Sequence, residues 1–69
     1  MGDKMGIRHL EKIENLLREN TKDFTRVEIR DILKMDYNEV KSILNYLNLR
    51  NRVKMFKDGD VIRVRWNNG

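Results

Sequence analysis

A group of polar side chains with helical spacing is the first feature of this sequence that could do chemistry. They recur three or four positions apart, so a helix would bring them to one side. An asparagine carboxamide can pair with adenine through two hydrogen bonds, and a lysine can bind guanine or a phosphate. The same side chains are also ordinary on solvated surfaces. The group consists of Tyr37, Asn38, Lys41, Ser42 and Asn45.

Positive charge gathers in the last part of the chain. The 69 residues carry a net charge of +4, and the pI is about 9.7. Cations and anions balance in residues 1–24 and again in residues 25–36, so the whole excess lies in residues 37–69. Such asymmetry is typical of a surface that binds nucleic acid, although an ordinary solvated face is the alternative. The cations of this last segment are Lys41, Arg50, Arg52, Lys54, Lys57, Arg63 and Arg65.

The sequence contains no group of residues that predicts catalysis. It has no cysteine and one histidine, His9, which has no second ligand at metal-binding spacing. It also contains no nucleophile paired with a base and no glycine-rich phosphate loop. We therefore expect neither an enzyme nor a bound metal or cofactor.

The first twenty residues mix charged and apolar positions, and the rest of the chain does the same. No apolar run is long enough for a membrane span or a signal peptide. We therefore expect an intracellular, cytoplasmic protein that does not contact a membrane and that is associated with the nucleoid if it binds DNA.

Two helices are predicted in the first half of the chain. Helix 1 covers about residues 4–19, and Asn20 is a candidate left-handed stop. Helix 2 covers about residues 26–34 and begins with a capping box, in which Thr25 bonds a free amide and Glu28 reaches back. The predicted core positions are Ile7, Leu10, Ile13 and Leu17 in helix 1 and Ile29, Ile32 and Leu33 in helix 2.

Helix 3 is predicted over about residues 37–50. A second capping box, Asp36 to Glu39, opens it only eleven residues after the first, so helices 2 and 3 must cross as in a helix-turn-helix. Asn51 is expected to end it in a left-handed conformation. Its buried stripe consists of Val40, Ile43, Leu44 and Leu47, which leaves the polar group on the outward side.

A β-hairpin is predicted over residues 52–57 and 60–66, because Asp58-Gly59 is a strong two-residue turn signal. That loop would place Lys54 opposite Arg63, and Arg52 opposite Arg65. Like charges in such pairs destabilise a sheet, and an ordinary solvated sheet would more often alternate the signs. The pairs therefore favour a face that binds phosphates over an ordinary solvated face. The two faces would be Val53, Met55, Ile62, Val64 and Trp66 on the core side, and Arg52, Lys54, Arg63 and Arg65 on the other, with Phe56 and Val61 towards the tip. There we expect Phe56 to pack on Val61, and stacking on a base or against a sugar is the alternative.

The stretch from Phe24 to Val53, FTRVEIRDILKMDYNEVKSILNYLNLRNRV, resembles the winged-helix branch of the helix-turn-helix superfamily. The resemblance lies in the pair Glu28-Ile29 of a Thr-capped helix and in the pair Met35-Asp36 before the next helix. The apolar residues that continue the pattern are Val40, Leu44, Leu47 and Val53. It implies an α+β fold with a three-helix core and a C-terminal two-stranded β-hairpin, the wing. It also implies that helix 3 enters the major groove and that the wing touches the DNA backbone or minor groove.

Three departures from the family pattern affect this interpretation. Arg30 stands where alanine is usual and Lys34 where glycine is frequent, which predicts looser packing of helices 2 and 3. Asp58 and Asp60 at the wing tip would repel phosphates. We therefore expect the wing to contact DNA through its basic face and not through its tip.

The prediction from sequence is one winged-helix domain over residues 1–69 that binds double-stranded DNA, as a transcriptional regulator or other DNA-binding module. It is expected to be a monomer or weak homodimer. The alternative is a protein-docking module of a replication or transcription assembly, which Asp58, Asp60, Tyr46 and Leu49 would favour, and structured RNA or single strands stay open. The candidate DNA-binding residues are Tyr37, Asn38, Lys41, Ser42, Asn45, Arg52, Lys54, Lys57, Arg63 and Arg65.

Overall fold

A computed structural model describes residues 2–67, and the side chains from Arg8 to Asn67. The elements follow in the order α1 (Gly2–Glu19), β1 (Phe24–Thr25), α2 (Arg26–Leu33), α3 (Tyr37–Leu49), β2 (Val53–Asp58) and β3 (Val61–Trp66). The strands form one antiparallel sheet in the order β1-β3-β2. The short strand β1 is absent from the sequence prediction, and it makes β3 the central strand. None of the helices in the described part is long and apolar enough to cross a membrane.

The core lies where the three helices meet the inner face of the sheet. The predicted stripes of α1 and α3 are confirmed, with Leu10 and Ile43 half-buried at their edges, whereas Ile7 lies outside the described side chains. The prediction for Ile32 is wrong, because this side chain is 51% exposed. On a helix Ile32 and Leu33 project to opposite sides of Ile29, by about 60° and 40°, and the core covers the Leu33 side. The buried residues are Ile13, Leu17, Phe24, Ile29, Met35, Val40, Leu44, Leu47, Val53 and Val64.

The helix starts depend on side-chain caps. At α2 the predicted capping box is confirmed: the Glu28 amide donates to Thr25 Oγ1 at 3.1 Å, and the Thr25 amide donates to Glu28 Oε1 at 2.9 Å. At α3 only half of the predicted box forms. Asp36 accepts from the amides of Asn38 and Glu39 at 3.0 and 3.3 Å. The Glu39 carboxylate does not reach back, because it pairs with His9 of α1 instead.

The helix ends use left-handed residues in two of three places. Asn51 has the predicted positive φ of 58°, and the Arg52 amide donates to the Leu47 carbonyl, which closes α3. Lys34 ends α2 in the same conformation, with a φ of 57°. The prediction for Asn20 is wrong, since its φ is not positive. Its side-chain amide donates to the Leu16 carbonyl in the last turn of α1 at 2.8 Å.

The hairpin loop is Gly59-Asp60 and not Asp58-Gly59. Gly59 has a φ of 67°, whereas Asp60 does not have a positive φ. This is the pattern of a type II′ turn, which needs glycine at the first loop position, whereas the predicted turn would have forced Asp58 into the left-handed region. Each β2 residue therefore pairs two positions further along β3 than predicted. A shift of two residues preserves the faces, so the predicted division into a core face and an outer face holds.

Candidate nucleic-acid interface

The outward face of α3 presents four polar side chains to solvent. Asn38, Lys41, Ser42 and Asn45 are all exposed. Within the described residues, none of these side chains is engaged in a hydrogen bond or an ion pair. Tyr37 stands beside them at the first turn of α3, half-buried, with the Arg26 guanidinium 5.9 Å from its ring centroid. Carboxamide, hydroxyl and ammonium groups are therefore available on this face for an external partner.

Two carboxylates at the start of α3 are engaged by the protein itself. Asp36 is occupied with the amides of the first turn. Glu39, the one acidic residue within α3, has its Oε2 atom 2.5 Å from Nδ1 of His9. Both carboxylates are thus held by internal contacts, and Lys41 is the cation among the four exposed side chains of the outward face.

His9 is a functional candidate that the sequence interpretation missed. It lies thirty positions before Glu39, and the pair forms because the fold brings these two side chains of α1 and α3 together. No local spacing could have revealed this contact. The one available signal was that Glu39 had two possible uses, as a cap partner of Asp36 or as an ion-pair partner of another helix.

The outer face of the sheet brings together Lys54, Arg63 and Arg65. The shifted register places Lys54 opposite Arg65 and Phe56 opposite Arg63. The predicted pairs Lys54–Arg63 and Arg52–Arg65 are therefore wrong, and a single pair of like charges remains in the strands. Phe56 does not face Val61 across the strands, as the predicted packing required. Its ring lies 5.8 Å from the Arg65 guanidinium.

Acidic neighbours offset part of the charge on this outer face. Arg63 Nε donates to Asp58 Oδ2 at 2.9 Å, and Arg65 Nε lies 3.8 Å from Asp23 Oδ1. The arginine side chains are nevertheless 35% and 53% exposed. Exposed ion pairs contribute only about 0–1 kcal/mol, so such an arginine can exchange its carboxylate for a phosphate at little energetic cost.

The structure places the last two candidate cations apart from this group. Arg52 precedes β2, and its Nη1 atom lies 3.8 Å from Glu14 of α1. Lys57 pairs with Ile62 on the opposite face of the hairpin from Lys54, and it is exposed. The candidate residues thus fall into the α3 face, the outer sheet face, and two separate cations.

The described residues include no group of histidine, aspartate and glutamate side chains that could hold a metal ion. The candidate surface consists of hydrogen-bonding and cationic groups without a nucleophile paired with a base. The chemistry that this arrangement can perform is recognition of a polar, negatively charged partner.

Comparison with known proteins gives one structural match. The oxidised form of MarR from E. coli matches this chain with a TM-score of 0.74 and 16% sequence identity. The match covers 88% of this chain and 43% of the MarR chain, so the chain spans less than half the length of that protein. No protein-family model matches the chain, and no curated protein matches it. The match and the order of elements show that the chain has the predicted winged-helix fold.

Proposed function

We propose that the chain is a DNA-binding winged-helix module that acts in transcription regulation and is not an enzyme. The observation that carries the proposal is the outward face of α3, where Asn38, Lys41, Ser42 and Asn45 are exposed and unpaired within the described residues. The winged-helix fold supports the choice of α3, since the corresponding helix of such folds enters the major groove.

The spacing of the α3 residues suits base readout. Asn38 and Asn45 are seven positions apart, which separates them by about 10 Å along the helix axis. That distance corresponds to about three base-pair steps of duplex DNA. Each carboxamide can form two hydrogen bonds with an adenine, and Lys41 between them can bind guanine or a phosphate. The outward side chains of α3 from Asn38 to Asn45 are therefore assigned to the groove.

The hairpin cations are assigned to the phosphate backbone. Lys54, Arg63 and Arg65 share the outer face, and the two arginines would exchange exposed carboxylates for phosphates. The tip is a poor site for this contact, because Asp58 and Asp60 flank Gly59 there. The proposal therefore places the backbone contacts towards the base of the hairpin.

A second candidate function is docking to another protein. Leu49 is 82% exposed and Tyr46 is half-exposed near the end of α3, where Arg50 lies over the tyrosine ring at 5.6 Å. An apolar side chain this exposed contributes nothing to the core and would suit a protein contact. The positive charge excess of the C-terminal segment favours DNA over this alternative.

The two functions are distinguished by anisotropy of labelled duplex DNA. Asn38→Ala and Asn45→Ala should each change the preference between duplexes of different sequence. Asn15→Ala is the matched control, since this residue is an exposed asparagine of a different helix, α1. An unchanged preference in the two test variants would reject base readout by α3, and the absence of any duplex binding at low salt would favour docking. The expected monomer or weak homodimer is tested separately by sedimentation.

A further inference from the structure

A recess lies between the end of α1 and the base of the hairpin, outside the outward face of α3. It has a volume of about 290 Å³, at the small end of the range for ligand pockets. Leu17 and Trp66 contribute apolar lining. The polar lining includes Thr21 and three cations, which are Arg18, Lys54 and Arg65.

The charge around this recess is strongly one-sided. None of the described residues that line it carries a carboxylate. The sheet register places Lys54 directly opposite Arg65, a like-charge arrangement that destabilises a sheet. Asp23 relieves it only in part, at 3.8 Å from Arg65 Nε, and Lys54 has no ion pair within the described residues. The C-terminal end of α1 carries a partial negative charge of about half a unit, which repels an anion. The full positive charges of Arg18, Lys54 and Arg65 outweigh this repulsion.

Arg18 is already positioned for a planar, multidentate contact. Its guanidinium lies 5.9 Å from the centroid of the Trp66 ring, and its Nη2 atom donates to Asn15 Oδ1. These contacts reduce the freedom that the side chain would lose on binding. A guanidinium, an ammonium and a nearby hydroxyl are the groups that bind phosphate oxygens in proteins.

We propose that this recess is a second anion site, which binds the phosphoryl group of a phosphate ester. Arg18, Lys54 and Arg65 would contact the phosphate oxygens, and Thr21 would donate a hydrogen bond. The phosphate ester has two possible sources, a small phosphorylated molecule or the backbone of the nucleic acid itself. The site does not require α3 to bind DNA.

The protein carries its own reporter for this site, because Trp66 is its one tryptophan. Inorganic phosphate and adenosine 5′-monophosphate should each change the Trp66 fluorescence in a saturable way. Adenosine, and sodium chloride at matched ionic strength, should not. Lys54→Gln should weaken the response to both phosphates roughly fivefold, the factor for about 1 kcal/mol from one exposed charge. Arg18→Gln should act similarly.

Lys57→Gln is the matched control, because it removes an exposed lysine from the other face of the same strand. Its response should equal that of the unmodified protein, and the far-ultraviolet circular dichroism of all variants should agree. The proposal is overturned if Lys54→Gln and Lys57→Gln respond alike, or if sodium chloride alone reproduces the fluorescence change.

Duplex DNA identifies the source of the phosphate. If the duplex reverses the change produced by adenosine 5′-monophosphate, a backbone phosphate occupies the recess. If labelled duplex binds without reversing it, the site takes a small phosphorylated molecule, and Lys54 and Arg65 are not the backbone contacts proposed above. A phosphate response without any duplex binding would refute the proposed DNA function and leave this site standing. Duplex binding without a phosphate response would refute the site alone.

Discussion

Nδ1 of His9 in α1 lies 2.5 Å from Oε2 of Glu39 in α3, and this pair joins the two helices through residues that are thirty positions apart in sequence. The pair has two consequences for α3. It draws the Glu39 carboxylate away from the capping position that the sequence predicts, and it occupies the one acidic group within the helix. In the proposed complex, a DNA phosphate near α3 would meet a carboxylate that already has a partner.

Removal of the histidine should expose this carboxylate. We expect His9→Ala to weaken duplex binding roughly two- to fivefold, about 0.5–1 kcal/mol, because an unpaired Glu39 repels phosphates. Glu39→Gln should strengthen binding by a similar factor. The measurement is anisotropy of labelled duplex at low salt. In the Glu39→Gln background the His9→Ala change should have little further effect, and an undiminished effect there would show that His9 acts by another route.

Lys34 should be a site where glycine stabilises the fold. Its φ of 57° lies in the left-handed region, which disfavours residues with a Cβ atom by about 1–2 kcal/mol. We expect Lys34→Gly to raise the free energy of unfolding by about 0.4–1 kcal/mol, after the greater entropy of glycine in the unfolded chain is subtracted. Thermal unfolding should show a Tm rise of a few degrees, since about 1 kcal/mol shifts the Tm by about 4–8 °C in a domain of this size.

The control for this variant is the same substitution within a helix. Lys41→Gly should lower stability by about 1 kcal/mol, because position 41 is an interior helical position of α3. Shifts of opposite sign are expected for the two variants. A fall in Tm for Lys34→Gly would show that the ammonium group or its methylene chain stabilises the end of α2.

The strand register predicts which hairpin lysine can gain from charge reversal. Lys54→Glu would place a carboxylate opposite Arg65 and replace a like-charge pair with an opposite-charge pair. We expect it to raise the free energy of unfolding by roughly 0.2–1 kcal/mol. Lys57→Glu faces Ile62 and should change little. Urea unfolding of the two variants measures the difference, and a gain limited to Lys57→Glu would contradict the register.

The arginines of the outer sheet face should control the salt dependence of binding. Each phosphate contact contributes about 0.9 to the slope of log K against log salt concentration. The double variant Arg63→Ala and Arg65→Ala should therefore flatten the slope by about 1.8 and weaken binding to all duplexes alike. Arg8→Ala with Lys12→Ala removes the same formal charge from exposed positions of α1 and should leave the slope almost unchanged. Equal slopes for the two double variants would exclude the sheet face from backbone contact.

Local sequence signals were sufficient for the helical part of the fold. The stripes of α1 and α3 follow from apolar residues at three- and four-residue steps, and Thr25, Asp36 and Asn51 mark helix ends through groups within a few residues. Such interactions depend on neighbours in sequence, so a single sequence contains the necessary information. The order of the elements then limited the fold to a helix-turn-helix followed by a hairpin.

Features that depend on distant partners could not be predicted in the same way. Strand β1 has only two residues, Phe24–Thr25, and exists because β3 pairs with it. The loop was ambiguous, since Asp58-Gly59 and Gly59-Asp60 are both turn signals and only the backbone conformation distinguishes them. Arg63 pairs with Asp58 within the hairpin, and Arg65 pairs with Asp23, which is distant in sequence. The sequence prediction did not include these pairs and therefore gave this face too much unpaired charge.

The central claim is that α3 offers its outward face to duplex DNA. An NMR titration of the labelled protein with duplex tests it most directly, because each backbone amide reports separately. We predict that the amides of residues 38–45 shift most, followed by those of the outer-face residues in β2 and β3. Shifts confined to Tyr46 and Leu49, or the absence of any shift at low salt, would contradict the claim.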